Sequence, residues 1–128
     1  MSYYFSKTLD CGFEEAVSRA TAALKDEGFG VLTEIDVSAT LKAKIGVDFK
    51  PYKILGACNP KLAFEALSLE NKIGTMLPCN VVVQDAGGGK SEVAAIDPVA
   101  SMQAVNNPEL HKAAEVVRAK LKAVIARL

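Results

Sequence analysis

The sequence predicts an α+β fold: a mostly antiparallel sheet with helices packed on one face, in the order β-α-β-α-β-α-β-β-α. Three observations carry this. Short apolar runs of strand character alternate with segments of helical period. The last two strand-like runs are joined by the glycine turn "AGGGK", residues 86–90, which makes them a hairpin. A long amphipathic segment closes the chain, segregated from the strands.

Tyr3 to Leu9 reads as the first strand, rich in aromatic and β-branched residues. In "FEEAVSRATAALKDEGFG" the residues Phe13, Ala16, Val17, Ala20, Ala23 and Leu24 recur on one helical face, and Gly28 supplies the stop. Phe29 to Ile35 is the second strand. Asp36 caps a short helix marked by Val37, Leu41 and Ile45, which ends at Gly46. Tyr52 to Cys58 is the third strand. Asn59 caps the next helix and Pro60 takes its first position, where a missing N–H costs nothing; that helix is expected to run to about Lys72. Pro78 opens a fourth strand, Cys79 to Asp85, and Ser91 to Asp97 forms the fifth. Asn107 and Pro108 repeat the Asn-Pro start. The last helix then places Leu110, Ala114, Val117, Leu121, Val124 and Leu128 on one seam, expected to cover a sheet face, with a dimer contact as the lesser role.

The chain has 128 residues, of which 50% are hydrophobic and 23% charged, which fits one domain over residues 1–128. Net charge is zero and no basic stripe is visible, which speaks against nucleic acid as a partner. "MSYYFSK" lacks the pattern of a secretory leader, and no apolar run reaches the roughly 18 residues of a membrane span. Three cysteines, Cys11, Cys58 and Cys79, are too few for a disulfide framework. The expected setting is the reducing cytoplasm, with no membrane association.

"GKS", Gly89 to Ser91, imitates the tail of a phosphate loop. Gln84 stands where that loop needs its first glycine, and a strand pattern follows where a helix is required. The segment is expected to be a hairpin turn. His111 is the one histidine and no CxxC occurs, so no metal site is predicted; His111 is expected on a solvated helix face with Lys112 and Glu115. No nucleophile elbow precedes a triad. Glu92 and Asp97 share a strand but alternate to opposite faces, which does not suggest an acid–base pair. No cofactor is predicted.

Two Cys-Asn pairs remain, in "ACNP" (57–60) and "LPCNVVV" (77–83). Cys58 directly precedes a helix start, where the partial positive charge of the N–H groups favours a thiolate. Its alternative role is packing, as a small apolar residue on a core face shared with Tyr52, Ile54 and Gly56. Cys79 shares a face with Val81 and Val83 and reads as core. Asn80 then points the other way, and is expected to bond a backbone group or to line a polar pocket. Cys58 and Cys79 meet at one sheet end if their strands are antiparallel neighbours, and fall at opposite ends if the strands are parallel.

"PYKILGACNPKLAFEAL" (51–67), "IGTMLPCNVVVQD" (73–85) and "IDP" (96–98) together resemble the domain of unknown function 302 (DUF302) family. The core of the likeness is 37–100, and nearly the whole chain is similar to stand-alone members. The resemblance implies a small α+β fold similar to the sheet-and-helix arrangement of TATA-box-binding proteins, without implying DNA binding, and a homodimer. It implies no activity. It makes Cys58, Asn59, Cys79 and Asn80 the site candidates.

Three functional readings follow. The first is a cytoplasmic homodimeric ligand-binding or interaction domain without catalytic machinery, holding a small molecule at the sheet end that bears Asn59 and Asn80. The second is a thiol-based redox or sulfur-transfer protein, with Cys58 as nucleophile and Cys79 as resolving thiol. In the third, both Cys-Asn pairs serve packing and capping alone.

Overall fold

A computed structural model describes residues 2–128. The strands are β1 (Tyr4–Leu9), β2 (Gly30–Asp36), β3 (Tyr52–Cys58), β4 (Cys79–Gly87) and β5 (Lys90–Ile96). The helices are α1 (Phe13–Asp26), α2 (Val37–Ile45), α3 (Pro60–Leu69), α4 (Pro98–Ser101) and α5 (Pro108–Ala126), with a 3₁₀ turn over Asn71–Met76. The five strands form one sheet in the order β1-β5-β4-β3-β2, and every neighbouring pair is antiparallel. Among the described residues no helix is long and apolar enough to cross a membrane.

The local signals hold where a few residues determine the energy. Asp36, Asn59 and Asn107 each cap a helix with a side-chain oxygen that accepts a backbone N–H. Helix α1 ends as a Schellman motif: Phe29 N–H donates to Leu24 C=O at 2.9 Å and Gly28 N–H to Lys25 C=O at 3.0 Å, with Gly28 at φ +86°. In the β4–β5 hairpin Gly88 and Gly89 both take positive φ, which gives the chain reversal the twist of its flanking strands.

The core lies on one side of the sheet. Leu55, Ala57, Cys79, Val81, Val83, Val93 and Ala95 project from it against Ala16, Ala20 and Leu24 of α1 and Leu121, Val124 and Ile125 of α5. A second cluster beyond the sheet end joins Ala66, Ile73, Met102, Leu110 and Ala114. Helix α5 spans both clusters, which explains why its apolar seam is so long.

Three expectations are corrected. Helix α3 stops at Leu69 rather than near Lys72, because Glu70 is extended (φ −148°) and its carboxylate caps the 3₁₀ turn instead. The fifth strand ends at Ile96; Asp97 accepts from Val99 N–H at 3.0 Å and starts α4, with Pro98 at its first position. The core face of β3 is Leu55 and Ala57, not Tyr52, Ile54, Gly56 and Cys58. Leu55 pairs with Val81 and Ala57 with Cys79, and directly paired residues share a face, so the buried side of β4 dictates that of β3. Asn80, one residue on from Cys79, is exposed on the other face.

The opposite sheet face receives no buried residue from any helix. A continuous row crosses it through Ser6, Ala94, Val82, Ile54 and Ile35. All three tyrosines, Tyr3, Tyr4 and Tyr52, border a shallow depression of about 340 Å³ over this face. Phe49 lies 5.9 Å from the Tyr52 ring and extends the apolar margin.

Candidate functional site

Strand β3 runs towards the sheet end at which β4 begins, so the antiparallel pairing brings the two Cys-Asn pairs together. Ala57 pairs with Cys79. Cys58 therefore lies one residue along from the partner of Cys79, about 6 Å between Cα atoms for ordinary strand spacing. Both cysteines are free thiols, and both line a cleft between the sheet end, α3 and α5.

Asn59 is held by its own helix. Its Oδ1 accepts from Leu62 N–H at 3.3 Å. Its Nδ2 stands 3.0 Å from the point where a Cβ on Gly28 would sit, so the close of α1 and the start of α3 touch through a glycine without a side chain. Asn80 follows Cys79 but turns to the open face. It borders the tyrosine depression and a second cleft containing Met76, Cys79 and Met102. Cys58, Asn59 and Cys79 border one cleft, but the pairing of Ala57 with Cys79 and of Gly56 with Asn80 puts the Cys58 side chain on the face of Asn80, opposite that of Cys79.

The cleft is narrow and almost wholly apolar. Its volume is about 40 Å³, room for a few waters or an ion. Organic ligands of drug size occupy roughly 300–1,000 Å³, so one of those enters only if α3 and α5 part. Burial pushes the Cys79 thiol up to about 11, and the neighbouring Cys58 adds to the effect. The cause is the cost of placing a thiolate among apolar side chains. At neutral pH Cys79 is a protonated thiol, a poor nucleophile.

Two consequences are measurable. Cys79 should resist iodoacetamide at pH 7.5 while half-buried Cys11, on the far end of the sheet, is modified; equal rates at the two sites would contradict this environment. The folded state also binds the Cys79 proton more tightly than the unfolded state does. Its contribution is therefore complete below the ordinary thiol pKa of 9.0 and is lost as pH rises towards about 11. Urea midpoints should fall over that window, and the fall should be smaller in Cys79→Ala.

Met102 and Met76 carry no local signature in the sequence. Met102 reaches the cleft from the residue after α4, and the one available clue was "DP" at Asp97 and Pro98, the same cap-plus-proline start as the two Asn-Pro pairs. The same Asp97 is nearly buried, with its Oδ2 3.3 Å from Arg118 Nε, and so ties α4 to α5. Exposed His111 places its Nε2 2.6 Å from the Val105 carbonyl and away from the cysteines.

An antiparallel five-stranded sheet, helices on one face and paired Cys-Asn motifs at one end define a small α+β domain of one type. The chain belongs to the family described as "Domain of unknown function DUF302", whose profile matches residues 5–128. A crystal structure of an uncharacterized conserved DUF302 protein from Bacillus stearothermophilus is similar to it throughout. The TM-score is 0.91 at 31% identity, covering 99% of this chain and 98% of that chain. No protein with a curated description matches.

Proposed function

We propose that the protein is a single-domain, homodimeric binding protein that pairs with a second copy through its open sheet face and holds a small ligand at the Cys-Asn end of the sheet. The observation that carries this reading is the uncovered apolar row from Ala94 through Val82 and Ile54 to Ile35. A second copy of the same face is its natural cover. Five strands about 4.8 Å apart and roughly 20 Å long offer a face of the order that a standard interface buries on each partner, about 800 Å². Zero net charge adds no repulsion between copies. Asn59 and Asn80 flank the two thiols from either side of the sheet end and supply polar groups for a ligand. Three free cysteines support a reducing, cytoplasmic setting.

Sedimentation equilibrium tests the dimer. A mass of twice the chain is expected at tens of micromolar, and a strict monomer at the highest concentrations removes the dimer.

The pairing of Ala57 with Cys79 favours a second reading, thiol redox or sulfur transfer. The raised pKa of Cys79 leaves Cys58 as the attacking thiol in that scheme.

A further inference from the structure

We propose that the depression on the open sheet face is a binding site for an organic cation, an ammonium group carried on an apolar body. The site lies on the opposite face from Cys79 and goes beyond the ligand reading at the Cys-Asn end. It shares the open face with the proposed dimer but needs no second copy.

Its shape follows from the strand register. Tyr4 pairs with Ile96 at one end of the face. Tyr52 pairs with Gln84, and Gln84 with Glu92, at the other. Between these ends the row of Ser6, Ala94 and Val82 carries shorter side chains. Short residues between long ones leave a trough of about 340 Å³, within the roughly 300–1,000 Å³ that small organic ligands occupy. Glu92 and Ile96 are four residues apart on one strand, so the trough is about 13 Å long.

Both ends are aromatic. Tyr3 and Tyr4 stand at one, with ring centroids 5.0 Å apart and planes at 69°. Tyr52 stands at the other, with Phe49 5.9 Å from its ring. Aromatic rings attract a cation over their faces.

Glu92 supplies the charge. Among the described residues no lysine, arginine or histidine borders the depression, and Glu92 is its one charged group. It enters none of the ion pairs among the described residues. Gln84 Nε2 donates to its Oε1 at 3.1 Å, which orients the carboxylate without neutralising it. Glu92 is half-buried, so part of its water is already displaced and a cation beside it gains more than at a fully exposed site. Glu92 and Tyr52 lie either side of Gln84, about 10 Å apart at Cα for ordinary strand spacing. Both border the depression, so an ammonium group over Gln84 is within reach of both. The apolar body then lies over Val82 and Ala94, towards Tyr3 and Tyr4. A hard metal ion would meet one carboxylate, and no cluster of ligands forms among the described residues. A second copy would enclose Glu92, and a carboxylate enclosed without a cation is costly, so the ligand and the dimer favour each other.

Tyrosine fluorescence reads the site directly, because the chain has no tryptophan and all three tyrosines border the depression. Hexyltrimethylammonium is the probe: it joins a quaternary cation to an apolar tail and is transparent in the tyrosine band. A saturable change in emission is expected. Hexanoate and hexanol carry a similar tail with a negative charge or none, and should bind at least about 10-fold more weakly. Glu92→Gln keeps the shape and should weaken the cation about 10-fold while leaving hexanol unchanged. Tyr52→Leu should weaken the cation about 3-fold. Glu92 and Tyr52 both lie outside the buried core, so both variants should fold; if either does not, the three probes on the unaltered chain carry the test. Equal affinity for the three probes, or a Glu92→Gln variant that binds the cation as the parent does, overturns the cation and leaves an apolar trough. No saturable change with hexyltrimethylammonium overturns the site. Sedimentation of the same samples separates this from the dimer. Cation binding to a strict monomer keeps the site and removes the dimer, and a dimer that binds no cation does the reverse.

Discussion

Val82→Asp is expected to leave the chain folded and to abolish the dimer proposed for its open sheet face. Val82 lies in the middle strand of the five, paired with Ala94 on one side and Ile54 on the other, and it projects from the uncovered face. In the monomer an aspartate there meets solvent and costs on the order of 1 kcal/mol, the span of strand propensities. In a two-fold dimer a residue near the centre of a sheet face lies close to its own mate. Two carboxylates would then be desolvated together, at a cost of several kcal/mol. The dissociation constant should rise about 1,000-fold, since 1.4 kcal/mol is a factor of ten. Sedimentation of Val82→Asp beside Val82→Ile, which keeps the face apolar, reads this directly. If Val82→Asp remains a dimer with unchanged affinity, the interface lies elsewhere, and the exposed Phe64 and Leu67 on α3 become the next surface to alter.

Leu121→Ala should be the most damaging simple truncation. Leu121 is fully buried where α5 crosses the sheet beside α1. Removing a buried leucine loses its transfer free energy and leaves a cavity, together about 2–5 kcal/mol. For a chain of this length each kcal/mol moves the midpoint by roughly 4 °C, so a fall of about 10 °C is expected. Val116 on the same helix is exposed, and Val116→Ala should stay within about 0.5 kcal/mol of the parent. Urea unfolding monitored by circular dichroism measures both. A loss below 1 kcal/mol at Leu121 would mean that α5 does not seal the core.

The two variants probe opposite faces of one sheet, and the contrast explains what could be read in advance. Caps, stops and the glycine turn were legible because their energies are settled within three or four residues. Asp36 meets Ala39, Asn59 meets Leu62, and Asn107 meets Glu109 and Leu110. The short helix after Asp97 follows the same rule, with its cap and proline adjacent in the sequence. The break after Leu69 had no such signal: neither glycine nor proline stands there, and Glu70 turns away to cap the next segment.

Strand faces are a different matter. On β3 both sets of alternate residues are apolar enough to be core, so alternation alone leaves the choice open. Pairing of Leu55 with Val81 makes it, through contacts between residues 26 positions apart. The same pairing turns two Cys-Asn motifs, 21 residues apart, into one sheet end.

By itself the amino-acid sequence determined the element order, the helix starts, the α+β class and the motifs that mark the family, all of them local periodicities or short patterns. Tertiary structure alone decided the strand order, which face of the sheet stays bare, and that Met102 joins the cysteines. Those outcomes depend on register and on contacts between distant segments, whose energies no local stretch of sequence contains.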